Sequence, residues 1–248
     1  MIDRLAALVP PSLAAFGCRI AATPSRPEAR PLSILASKAA FDGVVDGFGR
    51  ALGEGGSGGA GQGFETADRR ALVSLWTQYY LPALIIPYFT ALSRLGRALP
   101  IGFDRVGFEL DEAGIVSRFI VAEADSRDAE PEPGLDPLIE GHLRPFFDLC
   151  HGHYGLSRRV LWCNAGVTAD FALRELSIGT AAMVPVQFRV EACLGRCGAD
   201  AFGRCPLARA FSVGEERRRR VCCMRYKLPG VPSCGALCPV DHLTKASC

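Results

Sequence analysis

The chain has 248 residues, 49% hydrophobic and 22% charged, with a formal net charge of +2. That length buries a sizeable core as one domain with an appendage, and no uninterrupted apolar run reaches the roughly 18 residues of a membrane helix. Stable membrane insertion is therefore not expected, and the near-neutral total supports no nucleic-acid surface.

The opening segment, MIDRLAALVPPSLAAFGCRI, carries Asp3 and a Pro-Pro break and lacks a basic n-region. It does not read as a signal peptide, so the expected compartment is the cytoplasm. Leu32 to Leu52 reads as helical, and Gly53 to Gly63 (GEGGSGGAGQG) as a flexible surface loop. Thr66 to Leu99 is again helical, with Pro82 and Pro87 predicting a kinked core helix.

Val106 to Val121 predicts a hairpin about the turn-rich Asp111–Gly114. Ala122 to Gly134 reads as a polar loop. Leu135 to Cys150 places Leu138, Ile139, His142, Leu143, Phe146 and Phe147 on one apolar face, with Asp136 as cap before Pro137. A second helix is expected from Ser157 to Leu176, and a short strand from Val184 to Val190. Beyond Glu191 periodicity fades. The expected fold is α+β, mainly helical, with a small antiparallel sheet over residues 1–210 and an irregular cysteine-rich segment over 211–248.

Eleven cysteines in a cytosolic chain are expected as reduced thiols, which favours metal binding or catalysis over a disulfide framework. Cys222, Cys223, Cys234 and Cys238 fall within seventeen residues near the C-terminus. Such thiolate sets select zinc, copper(I) or iron–sulfur clusters. Adjacent Cys222 and Cys223 point to opposite sides of an extended backbone and chelate one ion poorly. Leu228 to Pro232 (LPGVP) has the turn chemistry to return Cys234 toward the pair. The spacing suits a [2Fe–2S] cluster better than a mononuclear zinc.

At these residues the chain resembles the FhuF-type siderophore-iron reductases, whose signature is Cys-Cys, ten residues, Cys, two residues, Cys. Cys222, Cys223 and Cys234 match it, as does the basic lead-in of RRRRVCCMRYKLPG, Arg217 to Gly230. Gly155 to Ala165 (GLSRRVLWCNA) and Asp136 to Pro145 are similar to further family segments, so the resemblance covers roughly the C-terminal half. Cys238 departs from it, with three residues after Cys234 instead of two. Cys205, Cys197, Cys193 or Cys248 stands as an alternative fourth ligand.

The resemblance implies a [2Fe–2S] cluster on the four cysteines and cytoplasmic one-electron reduction of a ferric siderophore. Hydroxamate-type siderophores are the expected substrates, and an unidentified donor supplies the electron. Hard oxygen donors hold iron(III) far more tightly than iron(II), so one electron releases the metal without hydrolysis. The sequence shows no triad, P-loop or dinucleotide fingerprint.

Cations near the ligands favour a more negative, reduced centre. Arg225 and Lys227 lie inside the ligand loop; Arg217–Arg220 read either as part of that environment, drawing an acidic donor or an anionic siderophore, or as a solvated run beside Glu215 and Glu216. Trp162 and Asn164, with Trp76 and Tyr80, are candidate siderophore contacts that read equally as core and cap residues. Cys150-His151-Gly152-His153 reads as a helix end, with a second metal site as the outside reading. Cys193, Cys197 and Cys205 could join the tail thiols in a zinc knuckle. The reading from another class is a non-catalytic, zinc-stabilised binding protein.

Overall fold

The long helix α3, Arg69–Leu95, is the axis of the molecule, seen in a computed structural model that describes residues 2–23, 29–55, 67–122, 134–177, 205–213 and 217–240. It is apolar on every side, so neighbours cover it all round: α1 (Leu5–Leu8), α2 (Lys38–Gly55), α5 (Arg144–Tyr154), α6 (Arg158–Ser177) and the sheet. Asp68 caps it by accepting from the Arg70 and Ala71 N–H groups, and Gly96, at φ 65°, ends it. Pro82 and Pro87 both lie inside this one helix. Each removes an i→i−4 hydrogen bond, and the surrounding packing keeps the helix continuous.

Four strands form a mixed sheet in the order β1-β4-β3-β2. The expected hairpin pairs β3 (Gly107–Leu110) antiparallel with β4 (Val116–Ala122) about a turn in which Asp111 N–H donates to Ile115 O at 2.8 Å. β2 (Arg30–Pro31) adds antiparallel to β3, but β1 (Ile20–Thr23) pairs parallel with β4. The sheet is thus not wholly antiparallel. A parallel pair needs a long crossover, and here α2 and α3 provide it.

Leu32–Ala36 is a 3₁₀ turn leading into α2, whose helix runs into the glycine-rich stretch as far as Gly55. Most of the loop expected at 53–63, the loop from 122 to 134 and the strand expected at 184–190 lie outside the described residues. α4 (Asp136–Leu138) passes through a π-helical turn, Ile139–Leu143, into α5. Asp136 opens that helix instead of capping it. Pro145 brings no N–H, and the Gly141 carbonyl accepts Phe103 N–H at 2.9 Å instead. α5 continues past Gly152 and stops at Gly155, φ 64°.

The π turn aims His142 into the core, where it is fully buried between Phe103, Phe119 and Tyr80. Its Nδ1–H donates to Ile101 O, so Nε2 accepts from the Tyr80 hydroxyl. Burial pushes its pKa down to about 4. A histidine neutral in the fold and protonated when unfolded withdraws stability as pH falls through the window from about 6.5 to about 4. Unfolding free energy should drop by on the order of 2–3 kcal/mol across that window. Denaturant melts of wild type and His142→Gln at matched pH check this: the variant should start less stable and lose the slope.

Candidate metal centre

The cysteine-rich tail lies across the faces of α3 and α6, and a buried hydrogen bond is among the ties that hold it there. Ser74 of α3 donates through Oγ to the Cys223 carbonyl at 2.7 Å, fully buried. Phe211 pairs as an isolated bridge with Arg219, whose N–H donates to Leu237 O at 2.9 Å. Arg217–Arg220 is thereby an extended ribbon, laid between residues 210–212 and the ligand loop.

Leu228–Val231 closes as a turn, Val231 N–H donating to Leu228 O at 3.3 Å with Gly230 at φ 69°. Proline then glycine at its centre is the composition such a turn demands. Gly235, at φ 64°, opens the 3₁₀ turn Gly235–Leu237, which takes up the extra residue between Cys234 and Cys238. Cys238 is therefore returned to the group, 5% exposed.

The four thiols act on one another directly. Cys234 is hydrogen-bonded to both Cys223 and Cys238, and Cys222 feels the charge of Cys223 and Cys238. The Cys234 hydrogen bond holds Cys223 well below the ordinary thiol range, with Arg219 and Arg225 adding to the effect, while the same bond pushes Cys234 up. Burial raises Cys222. The backbone turns its N–H groups toward this sulfur set: Met224 N–H donates to Cys222 Sγ at 3.3 Å, and Arg225 N–H to Cys223. Met224 adopts φ 66° to do so, alone among described non-glycine residues, a strain such sites store. Among the described residues no group of three or more His, Cys, Asp or Glu side chains is placed to hold a metal ion.

Arg219 is the buried charge of the site, 4% exposed and without a carboxylate partner among the described residues. Its guanidinium donates to Asn164 Oδ1 and to Val221 O. Asn164, on α6, spends its amide hydrogens on Thr77 Oγ1 at 3.0 Å and Ser74 O at 3.2 Å. One asparagine thus locks α6 to α3 and orients the cation beside the sulfurs. Asn164→Ala would leave buried Arg219 without its side-chain acceptor, at a cost of about 2–4 kcal/mol. Chemical denaturation should register it, and Asn164→Asp should recover part of the loss by supplying an anionic acceptor.

Among the described residues of the tail, every other cation except Arg220 has an assigned partner. Arg217 pairs with Asp170, Arg218 donates to Cys238 O at 3.0 Å, Arg225 donates to Gln78 Oε1, and Lys227 reaches Asp68 at 2.8 Å. Lys227, with the helix cap, draws the Asp68 carboxyl down to about 2. The Arg225 Nε–H is buried with no acceptor. The basic lead-in is therefore only partly a solvated run: Arg219 is interior, Arg217 and Arg218 pin the loop at separate points, and Arg220 is exposed.

Trp162 and Asn164 part company. Asn164 is 1% exposed and committed to the core, whereas Trp162 is half-buried and lines a cavity of about 470 Å³. Trp76 and Tyr80 are core residues, Trp76 donating to Gly114 O at 2.9 Å. Cys150 is fully buried, and burial pushes its thiol far up, so it stays protonated. His151 and His153 hydrogen-bond to Leu156 O and Ala36 O, which makes that cluster packing and not a second metal set. Cys205 is disulfide-bonded, contrary to the expectation of reduced thiols. Every other described cysteine is free, and Cys193, Cys197 and Cys248 lie outside the described residues. Ser74, Asp68 and Gln78 escaped the sequence reading; Ser74 and Thr77, polar residues one turn apart in an apolar helix, were the available signal.

Residues 74–195 match the family described as "Ferric iron reductase FhuF-like transporter". The match begins at the serine that holds Cys223 and ends ahead of the cysteine quartet. A curated relative, the "Ferric siderophore reductase" of Escherichia coli (strain K12), is 27% identical over 176 residues. That alignment covers 68% of this chain and 65% of the relative, so the chain spans about two thirds of the length of the curated protein it matches. Over this segment the chain is similar to the FhuF-like family.

Proposed function

We propose that this protein is a cytoplasmic ferric-siderophore reductase that delivers one electron to siderophore-bound iron(III), with a [2Fe–2S] cluster on Cys222, Cys223, Cys234 and Cys238. The observation that carries the reading is the pairing of Cys234 with Cys223 and Cys238, whose charge Cys222 feels, beside the buried guanidinium of Arg219. An adjacent pair such as Cys222 and Cys223, which chelates one ion poorly, suits a two-iron cluster better than a single zinc. When bound, the cluster would supply a one-electron carrier; the electron comes from an external reduced donor and ends on iron, giving iron(II) and the free chelator.

The protein's own residues set the conditions for that chemistry. Arg219 offsets the negative charge of the thiolates in a low-dielectric position and favours an added electron. The Met224 and Arg225 N–H groups stabilise the sulfurs as thiolates, and the unspent Arg225 Nε–H is a further donor to an anionic group. Asp68 and Gln78 hold the loop to α3 through Lys227 and Arg225, so the ligands need little reorganisation. Leu228 and Cys238, both buried, help keep water from the site.

Protein purified without oxygen tests the reading. Equal iron and acid-labile sulfide, with visible bands that bleach with dithionite and return on adding a ferric hydroxamate, is the expected result. A colourless protein with one zinc and no sulfide overturns it.

A further inference from the structure

We propose that the cavity beside the cysteine segment is a substrate site selective for anionic ferric chelates, those with carboxylate or catecholate oxygens on their outer face. The proposal rests on the reductase reading. Its walls come from three chain segments. Arg159 and Trp162 project from one face of α6, a turn apart; Cys205, Pro206 and Arg209 come from a 3₁₀ turn; Arg220 and Val221 lead directly into Cys222. The volume, about 470 Å³, falls in the range of small-molecule sites.

Three guanidiniums face this cavity, and none has a carboxylate partner among the described residues. Arg217, Arg218, Arg219, Arg225 and Lys227 are anchored elsewhere, so among the described residues of the tail this positive charge gathers on one concave surface. Arginine recognises carboxylate bidentately and stacks on aromatic rings, and Trp162 offers a π surface held from behind by Phe147, edge-on at 4.7 Å. The Cys163 thiol donates to Ala210 O at 3.2 Å and approaches Val221 O, joining the floor to the strand that carries the cysteine ligands. A chelate seated here lies one residue along the chain from Cys222. A neutral or cationic chelate would leave the three arginines without an anion to pair with.

Gallium(III) chelates, which do not accept the electron, separate binding from reduction. Calorimetric titration of the full-length protein should show a gallium(III) tris-catecholate or a gallium(III) citrate-hydroxamate binding at least about tenfold tighter than gallium(III) desferrioxamine B, which carries a free ammonium. The two anionic probes tell which oxygen source is preferred. Affinity should weaken with salt, and Arg159→Glu/Arg209→Glu/Arg220→Glu should reduce anionic binding by about a hundredfold while keeping the wild-type circular dichroism. Trp162→Phe should remove the emission quenching that accompanies binding. Equal affinity for all three chelates, or no loss in the triple variant, overturns the site. If anionic gallium chelates bind as predicted but no ferric chelate is reduced, the site stands and the reductase reading falls; reduction without charge preference does the reverse.

Discussion

Serine in place of Cys223 or Cys234 is expected to drop bound iron from about two per chain to near none, with loss of the visible bands and of ferric-chelate reduction. Both thiols sit at the centre of the quartet: Cys234 touches Cys223 and Cys238, and Cys223 is 1% exposed against the Ser74 hydroxyl. The hydroxyl that replaces either sulfur stays protonated at neutral pH and binds soft metals poorly. Cys238→Ser should behave the same way, because the Gly235 turn returns that residue to the group in spite of its altered spacing. Cys205→Ser should keep its iron, since Cys205 is committed to a disulfide. Iron and sulfide assays on the four variants decide the ligand set, and retention of full iron by Cys238→Ser would remove it from that set.

Gly166→Ala is expected to be among the most damaging conservative changes in the protein. A Cβ at Gly166 would stand 2.4 Å from Leu207 O and 2.7 Å from the Ala210 Cβ. The first is backbone and cannot swing aside, so either α6 or the 206–209 turn must move. Overpacking of this kind costs about 3 kcal/mol, equivalent to a melting point lower by roughly 10 °C for a chain of this size. Gly152→Ala is the control: nothing lies within 4 Å of its added methyl in α5, so removing a helical glycine should be neutral or stabilise by up to about 1 kcal/mol. Calorimetry on the pair separates a local clash from a general intolerance of alanine. Displacement of the turn should also weaken binding of anionic gallium chelates, because that turn carries Arg209 and Pro206 of the cavity wall.

The helices were legible in the chain because their causes are local. α3 announces itself by unbroken apolar bulk, α6 by periodicity, and the β3–β4 hairpin by a turn whose glycine takes φ 70°. The parallel pairing of β1 with β4 was not legible, since β1 is four residues of unremarkable composition and its partner lies about a hundred positions later. Pro82 and Pro87 lie inside α3, and burial on most sides keeps the helix unbroken through both. Gly152 looked like a helix stop, yet the left-handed residue is Gly155, three positions further on.

The functional residues divide in the same way. By itself the sequence determined the soft-donor character of the tail, the Leu-Pro-Gly return and the pair Cys222–Cys223, because ligand type and turn chemistry depend on residue identity and short spacing. Only the tertiary structure decided how the arginines divide their work. Arg217, Arg218, Arg219 and Arg220 are equivalent as letters, but alternation along an extended ribbon sends Arg219 into the core against Asn164 and leaves Arg220 at the cavity mouth. Asn164 and Trp162, two positions apart on one helix, are separated by the helical turn into an interior clamp and a cavity wall. Burial, charge compensation and concavity are properties of segments distant in sequence brought together, and they exist only once α3, α6 and the tail are packed.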